Sequence, residues 1–462
     1  MPDTRRQMIA MLAFAVTFGI LAIPATSATS AADEMAPVGA AEVDVTPETP
    51  VRMYGYASRK TESEGVAGRL HAKALAIGGD QNDGPAVLLT VDCGSVPIDL
   101  RERVYRRINS ATRLAPERFV LSNSHNHSGP NLKGMAAITG DEHNRLAQYA
   151  KLLEDRLVDV VMRALAARKP GRLGFAQGQV GFAANRRVLS DGKWSGFGAV
   201  PDAPVDHSLP VLRVTAADGS LVAVVANYAC HNTTLRGNFK QIHGDWAGCA
   251  QQYIEQEAPG AVAMITIGCG ADSDPCPHST VALCQQHGRA LADECQRLFE
   301  GDWKTISPRL TARETTIDIP FLEVPDREKI EQSAKRTRSL GWLIRQQDAG
   351  EELPTSKPYR IVTWTFGDDL AMVFLSNEVT VDYALRLKRE LDAERLWITG
   401  YAHEVSTYIV SPRLIAEGGY EPNNSLSALV TFGQPELLDP PMEDRIVRAV
   451  KQILPESFRA VR

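Results

Sequence analysis

Short apolar runs separated by amphipathic stretches constrain the fold of this chain of 462 residues more than any other feature. Short runs rich in Val, Ile and Leu are typical of buried strands. They lie at Ala86–Val91, Arg118–Leu121, Val211–Thr215, Leu221–Asn227, Val262–Ile267, Leu370–Leu375 and Leu396–Thr399. Patterns of helical period with charged outer faces lie between several of them, at Leu100–Ala111, Asn144–Ala167, Trp246–Glu257, Val281–Phe299 and Val379–Ala393. Strands that alternate with helices predict an α/β fold, with a layered mixed β-sheet core and flanking helices.

The N-terminal segment predicts export. Arg5 and Arg6 precede an apolar run from Met8 to Ile23, which small residues follow. This order is typical of a signal peptide, and the run is short for a membrane span of about 20 apolar residues. We therefore expect residues 1–32 to be a signal peptide and residues 36–462 to be one mature domain without a transmembrane span, periplasmic or secreted. The paired arginines also match the twin-arginine route, although ordinary signal peptides carry such pairs too.

The net charge and the cysteine positions limit which binding partners and which disulfides can be expected. The net charge is −6 with both signs interspersed, so no basic stripe predicts nucleic-acid binding and a small-molecule or lipid-like substrate is expected.

The chain has no Cys-x-x-Cys pair. Cys284 and Cys295 lie on one predicted helix at a separation of about 16 Å, too far for a disulfide. Cys276 with Cys284 is the more plausible pair in an exported protein.

Polar side chains follow several predicted strands at the point where each strand ends. They include the histidines of Ser124–Pro130, His231, the loop Gly268–Pro275, Glu378, and the segment Tyr401–Tyr408. Ligand crevices of α/β sheets lie outside the carboxyl ends of strands, so we expect these segments to converge. Imidazole and carboxylate are the ligands that a catalytic zinc ion prefers.

Other readings of the same residues stay open from this pattern alone. His125 and His127 could both bind metal, or one could bind metal while the other serves the substrate. The loop Gly268–Pro275 could be a simple turn or a phosphate cradle, although it lacks the Lys-Ser/Thr of a P-loop. A single histidine after a strand is more often structural than a ligand.

Five motifs together resemble the catalytic domain of neutral, non-lysosomal ceramidases and their bacterial relatives. They are His-x-His-Ser-Gly-Pro at His125–Pro130, Arg186 within Asn-Arg-Arg, His231 upstream of Gly244-Asp245-Trp246-Ala247-Gly248, Glu378 between a strand and a helix, and Tyr408 twelve residues before Tyr420-Glu421. The resemblance implies one zinc ion bound by His125, His231, Glu378 and Tyr408. It also implies that His127, Arg186 and Tyr420 lie beside the substrate.

The sequence departs from this family in two places. Where ceramidases have Gly-Asp-x-Ser-Pro with the serine nucleophile, this chain reads Ala271-Asp272-Ser273-Asp274-Pro275. Asp274 therefore stands at the serine position, as a general base or water-orienting carboxylate, and Ser273 is the competing nucleophile of an acyl-enzyme route. The second departure is that we expect no C-terminal immunoglobulin-like domain, since the chain stops soon after Leu438.

The resemblance implies an exported, zinc-dependent hydrolase of an amide (N-acyl) bond, with an uncertain substrate. Two other classes stay open: a catalytically inert zinc-binding protein, and a metal-dependent ester or phosphoester hydrolase that uses Asp272 or Asp274. Two-metal phosphoesterases hold their ions about 3.5–4 Å apart. The chain offers ligands for one clear site, which favours the amide hydrolase.

Overall fold

The computed structural model describes residues 34–81, 83–135, 138–320, 327–328, 331, 341–352, 356–425 and 441–459. The predicted signal peptide, with its paired arginines, lies outside the described residues. Within these ranges, no helix combines the length and the apolar character that a membrane span requires.

Strands make up most of the regular structure. They are β1 (Ala36–Asp44), β2 (His71–Ile77), β3 (Ala86–Val91), β4 (Phe119–Asn123), β5 (Lys169–Gln179), β6 (Ala183–Ser190), β7 (Lys193–Val200), β8 (Ser208–Ala216), β9 (Leu221–Tyr228), β10 (Val262–Ile267), β11 (Ser273–Pro275), β12 (Lys304–Ile306), β13 (Leu310–Pro320), β14 (Ser356–Phe366), β15 (Leu370–Ser376), β16 (Glu378–Val379), β17 (Leu396–Ala402) and β18 (Tyr408–Ile409). The helices are α1 (Ile98–Thr112), α2 (Gly140–Ala166), α3 (Asp245–Glu257), α4 (Val281–Phe299), α5 (Gly341–Asp348), α6 (Val381–Glu390), α7 (Pro412–Glu417), α8 (Tyr420–Asn423) and α9 (Met442–Ile453).

One large mixed sheet dominates the fold. Its strand order is β10-β9-β8-β5-β1-β2-β3-β4-β17-β15-β14-β13, with β12 paired to β5. The pairs β3–β4, β9–β10 and β15–β17 are parallel, and the other neighbours are antiparallel. The predicted α/β fold with a mixed sheet is therefore confirmed. The turn at Ala217–Ser220 joins the antiparallel strands β8 and β9.

The sheet folds over so that its two halves enclose a common core, and helices cover the outer faces. Val38, Leu75, Leu88, Leu212 and Trp364 come from both halves and belong to one buried cluster. Helices α1 and α2 pack on the outer face of β1–β4, α3 and α4 on β8–β10, and α6 and α9 on β13–β17. Because strands β3, β4, β9 and β10 are buried on both faces, their sequences read as continuous apolar runs.

The ends of strands β4, β9, β10, β15 and β17 meet inside this fold. Ala402, the last residue of β17, pairs with Ser122 near the end of β4. The side chain of Asn227 in β9 donates to the carbonyl of Ile398 in β17 at 3.0 Å. The polar segments that follow these strands therefore converge, as the sequence predicted.

The predicted Cys276–Cys284 disulfide is wrong. All seven cysteines lie among the described residues and all are free thiols. Cys276 is exposed, whereas Cys284 is buried beside Leu235 and Cys249 on the inner side of α4. Helical periodicity turns Cys284 inward, away from the loop that carries Cys276.

The sequence from Asp302 to Tyr359 is less regular than the rest, with a charged helix-like stretch, and by itself predicts either a surface excursion or a lid. Residues 310–320 form β13, which pairs along its length with β14 at the edge of the large sheet. That part is therefore sheet rather than lid. Residues 321–326, 329–330, 332–340 and 353–355 of this region lie outside the described residues.

Candidate metal centre

His125 is the first residue that the fold aims into the centre. It follows β4 with a left-handed φ of 53°, and its Nδ1 lies 2.8 Å from the carbonyl of Gly94. A carbonyl partner keeps the proton on Nδ1, so the lone pair of Nε2 points into the centre. The close packing of Gly94 against Tyr54 requires glycine, because a Cβ there would lie 2.1 Å from the ring of Tyr54.

His231 is held in the same manner from the opposite side. It follows β9, and its Nδ1 lies 2.9 Å from the carbonyl of Gly270 in the loop after β10. Its backbone N–H donates to the carbonyl of Ser273 at 2.9 Å. The side chain of Trp246 donates to its carbonyl, also at 2.9 Å. These bonds fix the ring, which is completely buried, with Nε2 facing His125.

Glu378 places a carboxylate between the two imidazoles. Its Oε2 lies 3.2 Å from Nε2 of His125 and 3.4 Å from Nε2 of His231. It lies in β16, which pairs in parallel with β18, so that Glu378 stands opposite Tyr408. Burial raises the pKa of Glu378, but the neighbouring His125 and His231 outweigh this and hold it well below its ordinary value.

Tyr408 lies at the edge of the same centre. Its hydroxyl accepts from Nη2 of Arg186 at 3.3 Å. Burial, with the Glu378 carboxylate adding to it, raises the pKa of this phenol well above its ordinary value. Tyr408 therefore stays protonated even beside the Arg186 guanidinium, and only a further positive charge would favour the phenolate.

His127 adds a third imidazole. Its Nε2 lies 3.3 Å from Nε2 of His125, and one ligand atom each from His125, His127 and His231 lies within 4.8 Å of the others. Two donor sets are therefore available, three imidazoles or two imidazoles with Glu378. We favour the second, because Nδ1 of His127 has no hydrogen-bond partner among the described residues.

The residues present fit a cation. Nε2 of His231 and Oε2 of Glu378 are buried and lack a hydrogen-bond partner within the described part of the chain. Burial lowers the pKa of both His231 and His127. Arg186 lowers the pKa of His231 further, and His125 lowers that of His127, so both rings are neutral at neutral pH. Lone pairs and a carboxylate that face one another without a donor are stabilised by a metal ion.

Asp274 and Ser273 point to opposite sides of the short strand β11. Oδ1 and Oδ2 of Asp274 lie 3.1 Å from Arg186 and 2.9 Å from Arg236. Burial raises the pKa of Asp274, but Arg186 and Arg236 outweigh it and lower the pKa far below the ordinary value. Successive strand residues face opposite sides, and Oγ of Ser273 is buried with no partner among the described residues.

A family model matches more than half of the chain. The family model described as neutral/alkaline non-lysosomal ceramidase, N-terminal, matches residues 37–326.

The chain belongs to the neutral/alkaline non-lysosomal ceramidase family.

Sequence relatives include neutral ceramidase A of Dictyostelium discoideum, 26% identical over 236 residues, and the neutral ceramidase of Pseudomonas aeruginosa, 25% identical over 232 residues. These matches cover 49% and 47% of this chain and 33% of each relative, so the aligned region spans about a third of the relatives. The crystal structure of the Pseudomonas aeruginosa neutral ceramidase has a TM-score of 0.68 at 17% identity, over 93% of this chain and 76% of that one. A ceramidase complexed with C2 gives 0.69 at 18%, over 93% and 77%. Both structures share the fold of this chain.

In this ceramidase-family chain, Arg186 holds other residues of the centre in place. Its Nε, Nη1 and Nη2 lie 2.9 Å from Glu421, 3.1 Å from Asp274 and 3.3 Å from Tyr408. All three nitrogens therefore have protein partners. That Arg186 lies beside a bound substrate stays a prediction.

An aromatic ridge, defined as Tyr420, Phe197 and Trp194, leads outward from Tyr408. The ring centroids of Tyr408 and Tyr420 are 5.9 Å apart, those of Tyr420 and Phe197 are 5.1 Å apart, and those of Phe197 and Trp194 are 5.6 Å apart. Tyr420 and Phe197 are 40% and 54% exposed. Tyr420 therefore lies between the buried centre and an exposed apolar surface on the β6–β7 hairpin.

Sequence reasoning missed several residues around the centre. Arg59, Arg236, Tyr54 and Tyr56 surround His127 and Asp274 from segments without a recognised motif. A signal existed for the tyrosines, because Tyr54-Gly55-Tyr56 places two rings around a glycine. A Cβ on Gly55 would lie 2.3 Å from Nδ1 of His127, which is why that position is glycine. No local pattern distinguishes Arg59 or Arg236 from surface arginines.

Proposed function

We propose that this protein is an exported hydrolase of an amide (N-acyl) bond that uses one zinc ion. The observation that carries the proposal is the meeting of His125, His231 and Glu378, whose ligand atoms face one another in a buried centre. Tyr408, opposite Glu378 on the paired strand, would complete the ligand set. Membership of the ceramidase family supports the amide bond. The four-ligand set and the choice of zinc belong to the proposal.

A bound zinc ion would polarise the scissile carbonyl and lower the pKa of water from about 15.7 to about 7. The chain's own residues would supply orientation and charge complementarity. His127, neutral and adjacent to His125, can donate a hydrogen bond to a developing oxyanion. Arg186 would hold Tyr408 and Asp274 in place, and Tyr420 would line the pocket entrance.

The geometry favours a water-orienting role for Asp274 over a general-base role. Two guanidinium groups keep this carboxylate ionised, and a base with a strongly lowered pKa accepts protons poorly. An ionised carboxylate still accepts hydrogen bonds from a water molecule. Ser273 faces the other side of β11, so an acyl-enzyme route through Ser273 would require this strand to move.

A pair of substitutions tests the proposal. We expect His231→Ala to lose bound zinc and hydrolysis of N-acyl amides together, because one imidazole ligand is removed. Ser273→Ala should retain zinc and much of the activity. Zinc content by atomic absorption and fatty-acid release from N-acyl amides are the two measurements. An inactive Ser273→Ala protein with full zinc content would instead support the serine mechanism.

A catalytically inert zinc-binding protein is the second candidate, and the aspartate at the nucleophile position favours it. Zinc content close to one ion per chain, without hydrolysis in a broad screen of amides and esters, would support this candidate. Detectable hydrolysis that depends on His231 would exclude it.

Export is part of the proposal and rests on residues 1–32. N-terminal sequencing of the protein expressed with its full leader would detect removal of this segment. Recovery of the uncleaved chain from the cytoplasm would contradict export.

A further inference from the structure

The wall of the centre beside His127 and Asp274 carries two arginines, Arg59 and Arg236, without a two-point ion pair to a carboxylate among the described residues. Arg59 donates to the backbone carbonyls of Tyr54 at 2.9 Å and of Arg236 at 3.1 Å, and also to the carbonyl of His127. Among the described residues, no carboxylate forms an ion pair with Arg59. Its Nε is buried without a hydrogen-bond partner. This guanidinium therefore supplies a positive charge next to the third imidazole of the centre.

Arg236 extends the same wall toward Asp274. Its Nη2 lies 2.9 Å from Oδ2 of Asp274. Nε of Arg236, like that of Arg59, is buried without a partner within the described ranges, while the side chain as a whole is 25% exposed. Arg236 also forms a side-chain hydrogen bond with Tyr56. Because Arg236 has a single-point contact to one carboxylate, it keeps donors for a second anion.

The positive charges around Asp274 outnumber the negative charges on this wall. Asp274 carries one negative charge, and both Arg186 and Arg236 contact it. Arg186 is also paired with Glu421. Each nitrogen of Arg186 has a partner, whereas Nε of Arg59 and Nε of Arg236 have none among the described residues. The cationic wall, defined as Arg59 and Arg236, is therefore the part of the centre that can bind an added anion.

We infer that the substrate carries an anionic group, a carboxylate or a phosphate, close to the scissile amide, and that Arg236 binds this group. The inference rests on the proposed function and deepens it by naming the substrate class. An anionic acceptor is favoured there, because a guanidinium binds a charged oxygen more strongly than a neutral carbonyl or hydroxyl oxygen. A planar fork on Arg236 matches either a carboxylate or a phosphate.

Matched amides test the inference. N-lauroylglycine is compared with neutral N-lauroylglycinamide, and N-lauroyl phosphoethanolamine with neutral N-lauroylethanolamine, by release of lauric acid from the zinc-loaded full-length protein. We expect kcat/KM for one anionic amide to exceed that of its neutral partner by about tenfold or more, the range of a charge-assisted hydrogen bond. The arm that shows the larger ratio identifies carboxylate or phosphate.

Substitutions of Arg236 test whether this side chain causes the preference for anionic amides. Arg236→Gln should bring the ratio of anionic to neutral kcat/KM toward one, mainly by raising KM for the anionic amide. Arg236→Lys should restore part of the ratio, since it keeps the charge without the fork. Arg106→Gln, on the exposed side of α1, is the matched control and should keep the wild-type ratio. Zinc content and circular dichroism verify that each variant is folded.

The outcomes separate the two proposals. Equal or faster hydrolysis of the neutral amides by the wild type overturns this inference and leaves the proposed function intact. An unchanged ratio in folded Arg236→Gln also overturns it, because recognition would then lie elsewhere. If neither charged nor neutral amides are hydrolysed while zinc is bound, the proposed function itself fails and this inference fails with it.

Discussion

Asp272 shows how a single buried carboxylate connects the segments of the centre. Its side chain accepts from the backbone N–H of Val381 at 2.9 Å, from Asn185 at 3.1 Å and from Arg413 at 3.4 Å. Val381 lies just after Glu378, and Asn185 just before Arg186. Asp272 therefore links the start of α6, which follows the strand of Glu378, with β6, which carries Arg186.

Titration of Asp272 makes stability depend on pH. Burial, with Asp382 adding to it, raises the pKa of Asp272 from 3.8 to about 6. A raised folded-state pKa favours the protonated form, so this contribution is complete below pH 3.8 and is lost as pH rises through 6. Relative to Asp272→Asn, the wild-type free energy of unfolding should fall by about 3 kcal/mol over this range. Urea unfolding of both proteins at several pH values measures it, and parallel pH profiles would contradict it.

At the scale of elements, short strand pairings and turns position the residues of the centre. The two-residue strands β16 and β18 place Glu378 opposite Tyr408. The turns after β9 and β10 lie so close that a Cβ on Gly270 would be 2.5 Å from the backbone nitrogen of Cys230. The carbonyl of Gly270 is also the partner of His231 Nδ1. Gly270 is therefore needed both for the close packing of these turns and for the orientation of the His231 imidazole.

Two glycine substitutions distinguish the specific requirement for Gly270 from a general effect of an added methyl group. Gly270→Ala should lower the free energy of unfolding by about 2 kcal/mol or more, because backbone must move, and should weaken zinc binding. Gly248→Ala, in α3, meets nothing within 4 Å. It should be neutral or stabilise by up to about 1 kcal/mol, since alanine favours helix. Urea unfolding and zinc titration compare them. Wild-type zinc affinity in Gly270→Ala would contradict the predicted link.

At the scale of the whole molecule, the proposed ligands come from residues 125 to 408 and are brought together only by folding. An ion that binds the folded state and not the unfolded chain stabilises the entire domain. The centre is then a crosslink between both halves of the sheet.

Removal of metal should therefore reduce global stability. At zinc about 100-fold above the dissociation constant, the free energy of unfolding should exceed the chelated value by about 2.7 kcal/mol. The difference should vanish in His231→Ala and persist in His143→Ala, a histidine on α2 outside the centre. Urea unfolding with and without chelator measures this. A difference that persists in His231→Ala would place the stabilising ion elsewhere.

The sequence alone predicted the fold class, the strands that surround the centre and the resemblance to the family, because apolar periodicity and motif order are local properties. His125, His231, Glu378 and Tyr408 were selected by motif spacing, and the structure brings them together. Their role as ligands stays a prediction.

Only the tertiary structure decided which neighbours these residues meet. Folding of the sheet brings Arg59 and Arg236 beside His127 and Asp274, although neither arginine belongs to a motif. It also turns Ser273 away from Asp274, and separates Cys276 from Cys284. The physical reason is that charge pairing and burial depend on distances between segments remote in sequence, which local patterns of residues do not specify.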